Sequence, residues 1–180
     1  IRAHFHKPVK KVQYEIIITP KMSFGTGHHA TTFLMIQLMR QLDLSKKVVL
    51  DFGTGTGVLA ILAQKLGASK VVAIDYDEWS ITNTIENIQQ NDVSGIIVEK
   101  KDAIPDSGDY DIILANINLN VILDNLTAMQ QIMYSGSKLL LSGLLIENEE
   151  RVKIALKNNN LNYLSTSVRG DWIDILAEKT

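Results

Sequence analysis

The chain has 180 residues, 46% of them hydrophobic and 21% charged, enough to bury a full core in one globular domain. A net charge of -2 leaves no overall electrostatic footprint for nucleic acid, and the lack of cysteine excludes disulfides, thiolate metal ligation and cysteine nucleophiles. The longest apolar stretch, Leu139 to Ile146, is broken by Ser142 and Gly143 and is far too short to span a bilayer, so a cytoplasmic protein is expected.

In chain order, Arg2 to His6 and Val12 to Ile18, on either side of Lys7-Pro8, read as a small opening hairpin. Ile1 is not a start methionine, and residues 1–22 are expected to be a strand-pair lead-in from something upstream. Lys7, Lys10 and Lys11, like Lys46 and Lys47, are expected to be solvated loop ends, and no direct nucleic-acid partner is expected. The run Phe24-Gly25-Thr26-Gly27-His28-His29-Ala30-Thr31-Thr32 places glycines around Thr26 and then opens a helix expected to run from Thr32 to Leu42. It reads as a lid over a ligand, with Thr32 facing that ligand one turn into the helix. Adjacent His28 and His29 do not make a metal pair, because neighbouring side chains on a helix diverge and no His or Cys follows at i+3 or i+4. No metal is expected.

Next come the strand Val48 to Phe52 and the heptad Asp51-Phe52-Gly53-Thr54-Gly55-Thr56-Gly57, leading into a helical pattern from Val58 to Leu66. Glycine has no Cβ and accepts positive φ, so Gly53, Gly55 and Gly57 let the backbone pass close to a ligand. The missing Lys-Ser/Thr excludes a P-loop. Asp51 at the strand end would repel a pyrophosphate but suits a cofactor bearing an ammonium and a sulfonium, as S-adenosylmethionine does.

Further strands are expected at Val71 to Ile74, Ile96 to Glu99, Ile112 to Ala115 and Leu139 to Leu141, with helices at Trp79 to Gln90, Leu119 to Met133 and Glu147 to Asn158. Leu161 to Val168 and Trp172 to Ala177 are separated by Arg169-Gly170-Asp171 alone, which permits a hairpin and no helix. The expected fold is therefore α/β, a doubly wound, mostly parallel seven-stranded sheet with a C-terminal antiparallel hairpin. That hairpin speaks against a dinucleotide-binding Rossmann sheet, which usually continues parallel.

Ligands of such sheets lie beyond the carboxyl ends of the strands, so the polar residues at each strand end are the candidates to bind one. Asp75 ends the second central strand eighteen residues past Gly57, near the spacing of an acid that grips ribose hydroxyls. Asp77 is its reserve, or an N-cap for the next helix. Asp102 stands where an acid accepts the adenine amino group, or serves as a turn residue ahead of Pro105. Asn116 ends the fourth strand, where an amide offers its carbonyl oxygen to a substrate amine; the alternative is a helix N-cap.

Together the heptad, Asp75 and the Asn116 strand end resemble a class I S-adenosylmethionine-dependent methyltransferase. The Phe24 to Thr32 run, followed by Asp51 to Ile61 and then Ala115-Asn116-Ile117, resembles the ribosomal protein L11 methyltransferase (PrmA) family over essentially the whole chain. The resemblance implies a protein methyltransferase acting on lysine and N-terminal amines of a large-subunit ribosomal protein, converting S-adenosylmethionine to S-adenosylhomocysteine. It places Thr32, Gly53, Asp75 and Asn116 at the family's cofactor positions, with residues 23–180 as the methyltransferase domain. Gly143 and Trp172-Ile173 also match later family segments, without a role. The family carries an N-terminal substrate-recognition domain joined by a linker, and neither is expected within these 180 residues. Asn118-Leu119-Asn120 lacks the proline-aromatic sequence of amide and adenine methyltransferases.

A lysine amine must lose its proton before it attacks, at about 4.6 kcal/mol at neutral pH, against about 1 kcal/mol for an α-amine. No general base is evident, and Asn116 is expected to align the amine while a partly dry pocket and a nearby sulfonium favour its neutral form. Three other readings stay open: a class I methyltransferase with an RNA or small-molecule substrate, a nicotinamide oxidoreductase, and a cofactor-binding core that is silent without a recognition domain.

Overall fold

The computed structural model describes residues 1–8, 11–19 and 29–180. The Phe24 to His28 loop, and with it the reading of Thr26, lies outside the described residues. In chain order the elements are β1 (Arg2–Ala3), β2 (Ile17–Ile18), α1 (Ala30–Met39), β3 (Val48–Phe52), α2 (Val58–Lys65), β4 (Lys70–Asp75), α3 (Glu78–Gln90) and β5 (Ile96–Lys100). Then follow β6 (Tyr110–Asn116), α4 (Leu119–Gln131), β7 (Met133–Leu145), a 3-10 turn (Ile146–Asn148), α5 (Glu149–Asn158), β8 (Leu161–Arg169) and β9 (Trp172–Lys179).

Seven strands form one sheet in the order β5-β4-β3-β6-β7-β9-β8. The first five in that order run parallel, and β9 inserts antiparallel between β7 and β8. Successive residues of a strand point to opposite faces, and the continuously apolar central strands supply a core on each. Leu50, Ile113 and Leu141 join Ile122, Leu126 and Met129 of α4 and Val152 of α5 on one face. Val49, Ala73, Leu114 and Leu140 join Met35 and Met39 of α1 and Ile61 of α2 on the other. Because β3 lies between β4 and β6, the winding reverses there, and the crevice of a doubly wound sheet opens at the carboxyl ends of these strands.

The opening segment differs from expectation. Arg2 pairs with Ile17 and Ala3 with Ile18 in parallel, not as a hairpin. A turn closed by the His6 N–H on the Ala3 carbonyl (3.0 Å) ends β1 before Lys7-Pro8 is reached, and the chain returns to pair only at Ile17. Two boundaries also move. The expected helix to Met133 stops at Gln131, and β7 runs thirteen residues from Met133, well before Leu139. Gly136 at φ +90° and a shift in the β6–β7 register between Tyr110 and Ile112 let this irregular lead-in join the ladder. Glu147 falls in the 3-10 turn ahead of α5.

Candidate cofactor site

The glycine heptad turns out to be a hydrogen-bonded knot. The N–H groups of Gly53 and Thr54 both donate to the Ile74 carbonyl at the end of β4 (2.9 and 3.0 Å), and the Gly55 N–H donates to Asp75 Oδ2 (2.9 Å). All three glycines adopt positive φ, +75°, +59° and +77° in turn, which explains glycine at each position. A Cβ on Gly53 would collide with the Ile117 side chain, and one on Gly57 would come within 2.8 Å of the Thr84 methyl group on α3. Gly57 is thus fixed by helix packing and by its place as N-cap of α2.

Asp51 lies beneath this loop, fully buried. Its Oδ2 accepts from the Thr54 hydroxyl (2.7 Å) and the Ala60 N–H (3.2 Å). Burial pushes its pKa up to about 6, against the lowering effect of those two bonds. Asp75 is also buried, and its other oxygen accepts from the Asp77 N–H (3.0 Å). Asp77 resolves as the N-cap of α3, accepting from the Ser80 N–H and hydroxyl (2.9 and 3.0 Å), bonds that hold its carboxyl below the usual range.

Asn116 ends β6 and is not a helix cap; that place is taken by Asn118, whose side chain accepts from the Val121 N–H (3.1 Å). The Asn116 Oδ1 is buried with no hydrogen-bond partner among the described residues. An amide oxygen left in this state is costly unless a ligand donor or a water meets it.

A cavity of about 570 Å³ opens over these strand ends. Gly53, Gly55, Asp75, Asp102 and Asn116 all line it, together with Ile117, Tyr76, Lys101, His29 and Trp172. Asp51, Gly57 and Thr32 do not: the first two shape the loop from behind, and Thr32 is buried in α1 with its hydroxyl unpartnered among the described residues. His29 is the N-cap of α1, its ring Nδ1 2.9 Å from the Thr31 hydroxyl, and it packs edge-on against Trp172 with ring centroids 4.8 Å apart. This aromatic wall was not legible beforehand. The match of Trp172 to a late family segment was its one signal.

Gly143 also lines the cavity, at φ +82°, in a bulge where the β7–β9 register shifts between Ser142 and Leu144. A Cβ there would fall on the Ile117 carbonyl, so glycine lets β7 approach the backbone that carries Asn116. The Ile117 N–H donates to the Ser142 carbonyl (3.2 Å) and ties the two strand ends together.

Over residues 1–180 the chain matches the family described as Ribosomal protein L11 methyltransferase (PrmA). A ribosomal protein L11 methyltransferase of Porphyromonas gingivalis is 44% identical over 174 residues, covering 96% of this chain and 60% of that protein. One from Chlorobaculum parvum is 44% identical over 176 residues, covering 94% and 61%. The crystal structure of a ribosomal protein L11 methylase from Lactobacillus delbrueckii subsp. bulgaricus superposes with a TM-score of 0.89 at 30% identity, covering 98% of this chain and 91% of that one. The chain spans about three fifths of the length of the curated relatives it matches. With the family matched over all 180 residues of the chain and the fold shared with a ribosomal protein L11 methylase at a TM-score of 0.89, the chain belongs to the ribosomal protein L11 methyltransferase (PrmA) family.

Proposed function

We propose that the cavity binds S-adenosylmethionine and that this chain carries the methyl-transfer chemistry of a cytoplasmic enzyme that modifies lysine and N-terminal amines of the large-subunit ribosomal protein L11. Residues 1–22 serve as its lead-in and 23–180 as its methyltransferase domain. The observation that carries the reading is the buried, unpartnered Asn116 Oδ1, set in one cavity with Gly53, Gly55 and Asp75. The cavity's volume falls within the range typical of small-molecule sites. Among its polar groups, the carboxylates of Asp75 and Asp102 and the amide of Asn116 suit hydroxyl and ammonium donors.

When bound, the cofactor supplies a methyl group made electrophilic by a sulfonium. Asp75 keeps free lone pairs after accepting its two backbone N–H bonds and takes the ribose hydroxyls. Asp102 serves the adenine end, while Gly53 and Gly55 let the backbone run alongside the ligand. Asp51 stabilises the positive end from beneath the loop and Gly57 sets the turn; Thr26, outside the described residues, and Thr32, buried in α1 behind the cavity, complete the cofactor-binding set. For the acceptor, Asn116 Oδ1 takes a hydrogen bond from the amine and aims its lone pair at the methyl carbon. An amide is a poor proton acceptor, so Asn116 aligns and does not deprotonate; the amine arrives neutral, at a cost of about 4.6 kcal/mol for lysine and about 1 kcal/mol for an α-amine at pH 7. The apolar wall of Ile117, Val121 and Trp172 lowers that cost by disfavouring the ammonium form.

The test is mass spectrometry of purified L11 after incubation with S-adenosylmethionine and either this chain or a protein of the relatives' full length. Mass increments of 14 Da per methyl on lysine or the N-terminus are expected at least with the longer protein. Methylation of ribosomal RNA with unmodified L11 would overturn the reading. Cofactor binding by this chain without turnover would assign substrate docking to the part of the relatives that this chain does not span.

A further inference from the structure

Helix α3 carries a buried ladder of amides that the proposed chemistry does not use. Asn83, Asn87 and Asn91 lie at i, i+4 and i+8 and so share one face, and Asn83 and Asn87 are wholly buried beside Thr84. Burying an amide side chain costs free energy unless its hydrogen bonds are made, so two within the helix and a third at its C-cap, Asn91, need partners.

Asn83 Oδ1 accepts from Asn87 Nδ2 (3.1 Å) and its own Nδ2 has no partner among the described residues, whereas the partners of Asn87 and Asn91 lie on two different segments. Towards the lead-in, the Ile17 N–H donates to Asn91 Oδ1 (2.8 Å) and Asn91 Nδ2 donates to the Ile17 carbonyl (2.6 Å), the paired bonds a neighbouring strand would make. The Thr19 N–H donates to Asn87 Oδ1 (2.9 Å), and Gln90 Nε2 donates to the Thr19 hydroxyl (2.8 Å). Towards the glycine heptad, Asn87 Nδ2 donates to the Thr56 carbonyl (2.8 Å) and the Thr84 hydroxyl donates to the Gly55 carbonyl (2.9 Å). Asn91 Nδ2 also donates to the Asn87 backbone carbonyl (2.7 Å), one turn back along α3. The Asn87 amide therefore holds the lead-in with its oxygen and the cofactor loop with its nitrogen. Ile16 and Ile18 seat the same segment in the core.

We infer that Asn87 and Asn91 are positioning residues that couple docking of residues 16–19 on α3 to the geometry of the glycine loop, so that cofactor affinity and lead-in docking are thermodynamically linked. The inference deepens the cofactor reading proposed above. Any such linkage is reciprocal: what loosens the lead-in weakens the cofactor, and cofactor binding tightens the lead-in by the same factor. Asn91 makes its bonds to Ile17 and Asn87, does not line the cavity, and so isolates the effect.

The experiment combines hydrogen-deuterium exchange with calorimetry on the parent chain, Asn91→Ala and a control, Val152→Ala, which opens a void in the opposite core on α5. Without ligand, Asn91→Ala is expected to speed exchange both at residues 16–19 and at residues 53–57, and to weaken S-adenosylmethionine binding roughly five- to fiftyfold. Val152→Ala is expected to lower Tm while leaving loop exchange and affinity at parental values. In the parent, S-adenosylmethionine is expected to slow exchange at residues 16–19 at least fivefold, an arm that stands even if Asn91→Ala does not fold. Faster exchange confined to residues 16–19 with unchanged affinity would overturn the coupling, as would no change at residues 16–19 or an equal loss of affinity in Val152→Ala. Failure of the parent to bind S-adenosylmethionine would sink the cofactor reading instead, and the ligand-free exchange at residues 53–57 would still decide the coupling.

Discussion

Asp51 and Asp75 are carboxylates one strand apart whose surroundings assign them different work. Burial, above all, pushes the Asp51 carboxyl up to about 6. Between about pH 4 and 6 the native chain keeps a proton that the unfolded chain has released, so this group's contribution to stability falls as pH rises through that window. Asp51→Asn removes the penalty while leaving one oxygen to accept from Thr54 and Ala60, both of which now bond to the same Oδ2. The variant is expected to be more stable than the parent above pH 6, by about 2–3 kcal/mol, and equal to it near pH 4. Thermal melts of both proteins from pH 4 to 8 check this, and a gap that stays constant with pH contradicts it. Asp75→Ala is expected to weaken S-adenosylmethionine binding ten- to a hundredfold, as for the loss of one or two charge-assisted hydrogen bonds. Undiminished affinity by calorimetry would move the ribose contact elsewhere.

Between elements, the bulge at Gly143 sets how closely β7 approaches the Asn116-Ile117 strand end. Gly143→Ala adds a methyl group against the Ile117 carbonyl at a φ that side chains rarely adopt. The expected outcome is a loss of about 1–3 kcal/mol in stability together with a weaker cofactor site, read as Tm and Kd. A variant with parental Tm and Kd would show that the bulge can relax without moving Asn116. How much was legible beforehand follows from the same local physics. Short apolar runs and alternating glycines announce themselves, so the central strands, the terminal hairpin and the five cavity residues Gly53, Gly55, Asp75, Asp102 and Asn116 could be read from the chain. The first half of β7 could not, because Tyr134-Ser135-Gly136-Ser137 has neither a helical nor an alternating pattern. Nor could the amide ladder of α3, whose partners outside the helix lie 31 to 74 residues away in sequence. The parallel seating of β1 likewise depends on Ile16 and Ile18 finding the core, a tertiary contact with no local signature.

At the scale of the whole molecule, the sheet order brings four strand ends to one crevice, and two apolar cores hold them there. Among the described residues no helix is long and apolar enough to cross a membrane. The central claim is that this crevice is an S-adenosylmethionine site built around the glycine heptad. Titration calorimetry of S-adenosylmethionine into the parent chain and into Gly55→Val, each first shown to be folded by its thermal melt, tests it most directly. Gly55 lines the cavity at φ +59°, so a branched side chain there obstructs the ligand and strains the loop. The account predicts one saturable site in the parent and none in a folded Gly55→Val protein; equal affinity in the two, or no binding in the parent, would contradict it.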